Sequence, residues 1–156
     1  MEIADLGKMI RDNRRICILT EQCANGVLAP AGLTAVQARV LLYILDHGGQ
    51  GTSLTALHRE FGCSMATLSG MLKRLREKGY VRVEHCSGDE RCKLLFGTEK
   101  GERIRTELLR SLEQVQYRLY DCLSREELST LDGLQQKMLQ NLSALTQDRQ
   151  KEATEL

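Results

Sequence analysis

Side chains suited to binding phosphate groups or nucleic-acid bases cluster between positions 64 and 78 of the chain. They are hydroxyl residues followed by cations: Ser64, Thr67, Ser69, Lys73, Arg74, Arg76 and Lys78. Ammonium and guanidinium groups bind phosphate oxygens, and hydroxyls donate to phosphates and to base edges. These residue types therefore favour contact with duplex DNA. For Arg76 and Lys78 a solvated helix face is the favoured interpretation, and Ser69 can instead belong to half-buried packing.

The spacing of apolar residues places this set on a single helix. Ser64 is a favourable N-cap that can accept from the backbone N–H of Ala66 or Thr67, and Gly79 ends the helix. The residues predicted to point inward recur at helical spacing: Leu68, Met71, Leu72 and Leu75. The residues left nearer the outer face are Thr67, Gly70, Lys73 and Arg74.

A two-stranded hairpin is predicted immediately after this helix. Residues 80–84 alternate valine with charged side chains, which is the period of a strand, and residues 93–96 are the expected partner. Residues 87–90 contain the Ser, Gly and Asp that are typical of turns. Asp89 and Arg91 are therefore expected in the turn, at the tip of a basic β-finger.

Other helices precede this segment. The first covers about residues 4–24, and the second opens at Thr34 and Gln37, which have the T-x-x-Q spacing of a capping box. The buried stripe of the second helix is expected to hold Val40, Leu41, Ile44 and Leu45. A short helix over about residues 53–61 and a tight turn at 62–63 follow. Helix, tight turn, helix is the arrangement that lays a second helix into a DNA major groove.

Long helices are predicted to complete the chain. Thr98 caps one that reaches about Cys122, and Ser124-x-x-Glu127 is a capping box for one that reaches about Thr146. They carry more apolar side chains than a small lobe can cover: Leu108, Leu109, Leu112, Val115, Leu119, Leu128, Leu131, Leu134, Met138, Leu142 and Leu145. We expect this surface to pack against the first helix and against a second copy of the chain, giving a homodimer. Such symmetry places two recognition helices about one DNA turn apart, which suits a palindromic operator.

The predicted fold is therefore mainly α with a small β-wing. It combines a winged helix-turn-helix lobe with N- and C-terminal dimerisation helices. The expected boundaries are residues 1–30 for the N-terminal helix and linker, 31–98 for the DNA-binding lobe, 99–147 for the C-terminal helices and 148–156 for a frayed polar tail.

Composition narrows the function classes. The net charge of the 156 residues is +1, yet residues 59–105 hold eleven basic and seven acidic side chains. That excess is modest, so charge alone decides little. No apolar run approaches the roughly 20 residues of a membrane span, and the N-terminus lacks the pattern of a signal peptide. We therefore expect a cytoplasmic protein without membrane contact.

The sequence predicts no enzyme and no cofactor. It contains no phosphate-binding loop, no H-E-x-x-H motif, no nucleophile elbow and no paired acids at useful spacing. Aromatic residues make up 4% of the chain and tryptophan is absent, which disfavours stacking on single-stranded nucleic acid. The alternative interpretation is a winged-helix module that binds proteins and not DNA. That function would leave the basic helix face and Arg91 unused.

Six cysteines are many for a cytosolic chain, and none belongs to a C-x-x-C pair. Most are expected to be small buried residues. Cys86 and Cys92 flank the wing turn and can face each other across the hairpin, so with His85 they offer a disulfide or part of a metal site. Because structural zinc takes four ligands, no metal site is predicted. Simple strand packing is the third interpretation.

The order and spacing of these motifs resemble the MarR family of bacterial transcription regulators. The matching stretches are Leu33-Thr34-x-x-Gln37, Ser64 to Thr67, Lys73-Arg74-Leu75, Lys78-Gly79-Tyr80, Asp89-Glu90-Arg91 and Thr98-Glu99-Lys100-Gly101. One departure is Phe96-Gly97-Thr98, where the family usually has Leu-Thr. We expect this departure to loosen the end of the wing strand while the Thr98 cap is kept.

The resemblance implies a sequence-specific regulator, with repression the expected mode, that binds a palindromic operator as a homodimer. It implies that Arg91 enters the minor groove and that Asp89 orients it by an ion pair. A guanidinium suits the narrow, electronegative groove of A·T-rich DNA. The other implied contacts to bases, phosphates or the groove are Ser64, Thr67, Ser69, Lys73 and Arg74.

Two ways of releasing the DNA also follow from the resemblance. The family commonly binds small phenolic or aromatic effectors between the lobe and the dimer helices, and Tyr43, His47 and Tyr117 are candidate lining residues that also suit a core or surface role. Cys17 resembles the reactive cysteine of the organic-hydroperoxide branch, and Arg14 on the same helix face would favour its thiolate. The aromatic-rich start of the second helix in that branch is absent here, where residues 35–38 read A-V-Q-A.

Overall fold

The chain is mainly helical, with a small two-stranded antiparallel sheet, as predicted. The computed structural model describes the backbone of residues 3–86 and 89–154 and the side chains of residues 5–85 and 93–145. The helices are α1 (Ile3–Leu28), α2 (Ala35–Asp46), α3 (Leu54–Phe61), α4 (Met65–Glu77), α5 (Glu99–Tyr120) and α6 (Arg125–Thr154). The strands are β1 (Val81–Cys86) and β2 (Asp89–Gly97).

The chain divides into two compact units, Met1–Gln116 and Tyr117–Leu156. The first unit contains α1 to α4, the two strands and most of α5, and the second contains the end of α5 and α6. No single helix in the described part of the chain is long and apolar enough to cross a membrane. The segments Asp5–Ala31 and Ala35–Asp46 reach that length and apolar character only together, and a bend of 71° separates them.

The core of the first unit is built around α2. Its four predicted aliphatic residues are all buried, and they meet buried leucines of α3, α4, β2 and α5. The buried leucines are Leu57, Leu68, Leu72, Leu75, Leu95, Leu108 and Leu112. Because every one of these elements contributes to one cluster, α4 is held on a rigid support.

The predicted capping box at the start of α2 is present. The Gln37 backbone N–H donates to Thr34 Oγ1 at 3.2 Å, and the Thr34 N–H donates to Gln37 Oε1 at 3.0 Å. Asn25 of α1 adds a contact that the local sequence does not indicate, since its Oδ1 accepts from the Ala35 N–H at 2.7 Å. The start of α2 is therefore tied to the last turns of α1.

The wing strands are longer than predicted. β1 pairs with β2 from Val81↔Gly97 to His85↔Lys93, and the register then shifts so that Cys86 pairs with Asp89. The prediction that Asp89 and Arg91 lie in the turn is therefore wrong for their backbone, because β2 begins at Asp89 and contains Arg91. The shift leaves residues 90–92 of β2 as extra residues opposite β1, so Cys86 and Cys92 are not directly paired.

A further backbone bridge joins the wing to the segment between α2 and α3. The Thr52 N–H donates to the Leu95 carbonyl at 3.0 Å, and the Leu95 N–H donates to the Thr52 carbonyl at 2.7 Å. Thr52 is buried at this point. The base of the wing is consequently hydrogen-bonded on both edges of β2.

Gly97, the departure from the usual family pattern, keeps the strand intact. It pairs with Val81 at the end of β2, so the expected loosening is not observed. A Cβ atom at this position would collide with the Leu45 side chain of α2. The glycine therefore allows the strand to pack closely on α2.

The last helix is longer than predicted. Ser124 forms the expected capping box, with the Glu127 N–H donating to Ser124 Oγ at 3.2 Å and the Ser124 N–H donating to Glu127 Oε2 at 2.8 Å. α6 continues to Thr154, so the prediction that this helix ends near Thr146 is wrong. Most residues of the segment 147–154 are good helix formers, and it contains no glycine or proline.

Candidate nucleic-acid interface

The helix-turn-helix is formed by α3, a short turn and α4. Gly62 ends α3 in the left-handed region at φ +63°, which a glycine adopts without strain. His58 Nδ1 lies 2.7 Å from the carbonyl oxygen of Cys63, which spans the turn. These contacts fix the direction in which α4 leaves α3.

Ser64 caps α4 as predicted. The Thr67 backbone N–H donates to Ser64 Oγ at 3.1 Å, and the hydroxyls of Ser64 and Thr67 lie 2.8 Å apart. Both side chains are exposed. The N-terminal end of α4 therefore presents hydroxyls and the positive end of a helix dipole on the surface.

The two faces of α4 are sharply different. Leu68, Leu72 and Leu75 are buried in the core, and Met71 is partly buried beside them. The predicted contact residues of this helix all lie on exposed positions: Ser64, Thr67, Ser69, Lys73 and Arg74. Ser69 is not half-buried, which removes the packing interpretation for it. α4 thus offers a polar, cationic outer face on a fixed apolar support.

Residues beyond the predicted set are also exposed in the helix-turn-helix. Met65 in the first turn of α4 is 44% exposed, and Arg59 is exposed in the last turn of α3. An apolar side chain can contact a thymine methyl group, and a guanidinium can bind phosphate. The signal for Met65 was its position beside the N-cap, whereas nothing in the sequence singled out Arg59.

Among the described side chains, the cations of α4 form no strong ion pair. Lys73 Nζ lies 4.0 Å from Glu77 Oε1, and both side chains are mostly exposed, so this pair stabilises the helix little. Arg74 and Arg76 lie in the last turn, where positive charge is favoured by the helix dipole. Lys73 and Arg74 therefore remain available to a charged partner.

The segment Thr98–Gly101, which follows the wing and belongs to the family motif, contacts the C-terminal end of α4. Lys100 Nζ donates to the Lys78 carbonyl at 2.6 Å, and its ammonium lies 5.1 Å from the centre of the Tyr80 ring. Thr98 Oγ1 donates to the Gly79 carbonyl at 2.6 Å and accepts from the Gly101 N–H at 3.1 Å. These residues have a structural role, joining α4, the wing and α5.

Arg82 places a cation near the base of the wing. It forms an ion pair with Glu84, and its guanidinium lies 4.6 Å from the centre of the Phe96 ring. The side chains of Asp89 and Arg91 lie outside the described residues, as do those of Cys86 and Cys92. The backbone nevertheless places these four residues in the strands of the wing.

Two of the residues predicted to line an effector site, Tyr43 and His47, do not line the cavity found in the first unit. Tyr43 and His47 pack on each other with ring centres 4.3 Å apart, and Phe61 meets Tyr43 edge-on at 5.7 Å. Tyr117 belongs to the second unit and is 75% exposed. A cavity of about 490 Å³ lies elsewhere, lined by Asn25, Ala29, Gly32, Leu33, Thr34, Gln37, Arg74, Glu77 and Lys78.

The thiols of the described side chains are free. Cys17 and Cys23 are exposed on α1, Cys122 is exposed after α5, and Cys63 is partly buried. The expectation that most cysteines are buried is therefore wrong for Cys17, Cys23 and Cys122. Within residues 5–85 and 93–145 no cluster of three or more His, Cys, Asp or Glu side chains could hold a metal ion.

Comparisons with known proteins agree with this architecture. A sequence profile of the MarR family matches residues 31–91. The chain is 31% identical to the transcriptional regulator HosA of Escherichia coli over 107 residues, which is 69% of this chain and 78% of HosA. It is 23% identical to the transcriptional repressor MprA of Escherichia coli over 124 residues, or 80% of this chain and 70% of MprA.

A solved structure shows the same fold. A mutant MarR from E. coli, crystallised in complex with operator DNA, superposes with a TM-score of 0.76 at 26% identity. The match covers 88% of this chain and 95% of that one. The winged helix-turn-helix and both terminal helical regions therefore have counterparts in a protein that binds an operator.

Proposed function

Since this chain belongs to the MarR family of transcription regulators, we propose that it represses transcription by binding a palindromic operator as a homodimer in the cytoplasm. The observation that carries the proposal is the outer face of α4. Its hydroxyls and cations are exposed while its leucines fix it to the core. Repression is the mode named for one relative, MprA, and operator binding is named for the MarR complex.

In this proposal α4 enters the major groove. The capped end brings Ser64, Thr67 and Ser69 to bases or phosphates, and Lys73 and Arg74 bind phosphates or the groove. The wing reaches the adjacent minor groove, where Arg91 binds and Asp89 orients it. The support for this second contact is the position of both residues in β2, in a wing fixed at its base.

A second copy of the chain is proposed to cover the apolar residues that remain exposed. On α1 these are Leu6, Met9, Ile10, Ile16, Ile18 and Leu19. On α6 they are Leu134, Met138, Leu139, Leu142 and Leu145. Ile10 is 71% exposed and Leu142 is 58% exposed, which is costly for side chains of this size in water. Homodimerisation through both helices would bury them.

Two signals are proposed to release the operator. A small phenolic or aromatic effector would fit the cavity beside α4, where Arg74 and Lys78 supply positive charge for a phenolate or carboxylate. Because Arg74 is also a proposed DNA contact, effector and operator would compete. The other signal is oxidation of the exposed Cys17 thiol.

The test measures binding to a duplex from the chain's own promoter region. Binding is measured by fluorescence anisotropy at a series of salt concentrations. We expect tight binding that weakens steeply with salt, and a preference over an unrelated duplex. The salt slope is the slope of the logarithm of the binding constant against the logarithm of the salt concentration. Lys73→Ala should reduce its magnitude by about 1 for each phosphate that Lys73 neutralises in the dimer. Lys137→Ala, which removes an exposed cation of α6, is the control and should leave the slope unchanged. Absence of binding at low salt would instead favour a winged-helix module that binds proteins.

A further inference from the structure

Gly70 occupies the middle of α4 on its exposed face. Glycine is among the least favourable residues for a helix interior, because it loses the most backbone freedom on folding. Gly26 and Gly133 are also exposed glycines within helices, so the place of Gly70 on α4, and not its residue type alone, carries the argument.

The described part of the chain does not itself require a glycine at position 70. The φ angle of Gly70 is not positive, so any residue could adopt its backbone conformation. A Cβ atom built on Gly70 meets no atom within 4 Å. Gly97 and Gly101 differ in this respect, because a Cβ atom on either would collide with a neighbouring side chain or carbonyl.

The position of Gly70 points to the surface that is presented to DNA. The buried leucines of α4 lie on the opposite side of the helix. Ala66 precedes Gly70 by one turn, and Lys73 and Arg74 follow it by one turn, all of them exposed. The centre of the outer face is therefore small, and its far end is cationic.

We propose that Gly70 sets how deeply α4 enters the major groove and thereby helps to determine which base pairs the protein prefers. Without a side chain, the backbone at this position can approach the base edges, and the space can hold a thymine methyl group. A second copy of the same face is not the expected occupant, because Lys73 and Arg74 of the two copies would repel each other. The inference rests on the proposed operator binding.

The test uses the full-length chain and the series Gly70→Ala and Gly70→Leu. Both residues are better helix formers than glycine, so neither variant should melt below the parent, and the alanine variant should gain about 2–4 °C in Tm. Operator affinity should nevertheless fall about tenfold for alanine and further for leucine, since added atoms overfill a close contact. Affinity for an unrelated duplex should change less than about twofold, because phosphate contacts dominate it.

Gly26→Ala is the matched control. Gly26 is an exposed glycine of α1 whose Cβ atom would also meet nothing within 4 Å. The Gly26→Ala variant should raise Tm by about as much as Gly70→Ala does and should leave operator affinity unchanged. Operator affinity equal to the parent in both Gly70 variants would overturn the inference while leaving operator binding intact. A change of oligomeric state on gel filtration would assign Gly70 to a protein contact and overturn it too. If the parent binds no promoter duplex, the inference fails together with the proposed function.

Discussion

The Arg105 guanidinium on α5 donates to the Asp46 carboxylate at the end of α2, across 59 positions of sequence. It also donates from Nε and Nη2 to the two oxygens of Glu102, at 2.7 and 3.0 Å. The hydrogen bond to Glu102 raises the pKa of Arg105 most, burial partly opposes this rise, and the bond to Asp46 raises the pKa further. The bond to Arg105 in turn lowers the pKa of Glu102. The start of α5 is thus fixed to the helix around which the core is built.

The Glu102 contact should make stability depend on pH. A carboxyl whose pKa is lowered by folding stabilises the fold above its ordinary pKa of about 4.3, and this contribution disappears as the pH falls through the lowered value. At pH 7 we expect Glu102→Gln to cost less than about 1 kcal/mol, because the pair is largely exposed to solvent. At about pH 2 the variant and the parent should unfold alike. Urea unfolding at both pH values measures the stability difference between Glu102→Gln and the parent. Glu107→Gln, at an exposed position of α5, is the control. An equal loss of stability in Glu102→Gln at both pH values would contradict the prediction.

Ser64 should have separable effects on folding and on DNA binding. Ser64→Ala removes the N-cap of α4 and should cost about 1 kcal/mol of stability, whereas Ser64→Asp keeps a capping oxygen and should cost little. The added carboxylate would repel phosphates, so Ser64→Asp should bind the operator at least about tenfold more weakly. Thermal unfolding and anisotropy measure the two effects. An aspartate variant that binds as tightly as the parent would show that Ser64 does not lie near the DNA backbone.

Gly97 should be intolerant of any side chain while Leu45 is present. Gly97→Ala is expected to cost about 1–3 kcal/mol, because the new Cβ atom collides with Leu45. Leu45→Ala alone should cost about 2–5 kcal/mol through the cavity it leaves. In the double variant the cost of the alanine at position 97 should largely disappear. A double-mutant cycle by urea unfolding measures this coupling, and purely additive costs would show that the two positions do not interact.

Met138 should contribute to assembly and not to the fold of a single chain. It is 51% exposed on α6. Met138→Glu should therefore weaken the homodimer at least about tenfold, since it places a charge in an apolar interface. Analytical ultracentrifugation measures the association, and operator affinity should fall with it. Gln140→Glu adds the same charge at another exposed position of α6 and is the control; an unchanged dimer in Met138→Glu would place the interface elsewhere.

Cys17 should control any response to peroxide. If its oxidation releases the operator, Cys17→Ser should stay bound after peroxide treatment while the parent dissociates. Cys23→Ser is the matched control, because Cys23 is also an exposed free thiol of α1. Gel shifts before and after treatment, with intact mass to record the oxidised site, measure the response. Release that persists in Cys17→Ser would assign the signal to another group.

The local parts of the fold and of the candidate interface were predictable from the sequence. Ser64 and Thr34 cap their helices as their spacing indicated, because a cap depends on residues only three positions apart. Leu68 and Leu75 are buried while Lys73 is exposed, because helical periodicity assigns a face without knowledge of the partner. The residues that line the cavity were not predictable in this way, since Tyr43 and His47 pack on each other and the cavity is lined by other side chains.

By itself the sequence determined which segments are helices, which face of α4 is apolar and where the candidate DNA-binding cations lie along the chain. Only the tertiary structure decided that Arg105 is tied to Asp46, that Thr52 pairs with Leu95, that β2 begins at Asp89 and that Gly97 must be small. The physical reason is distance along the chain. Caps and periodicity act between neighbouring residues, whereas ion pairs, sheet bridges and close packing depend on groups that are brought together only when the core forms.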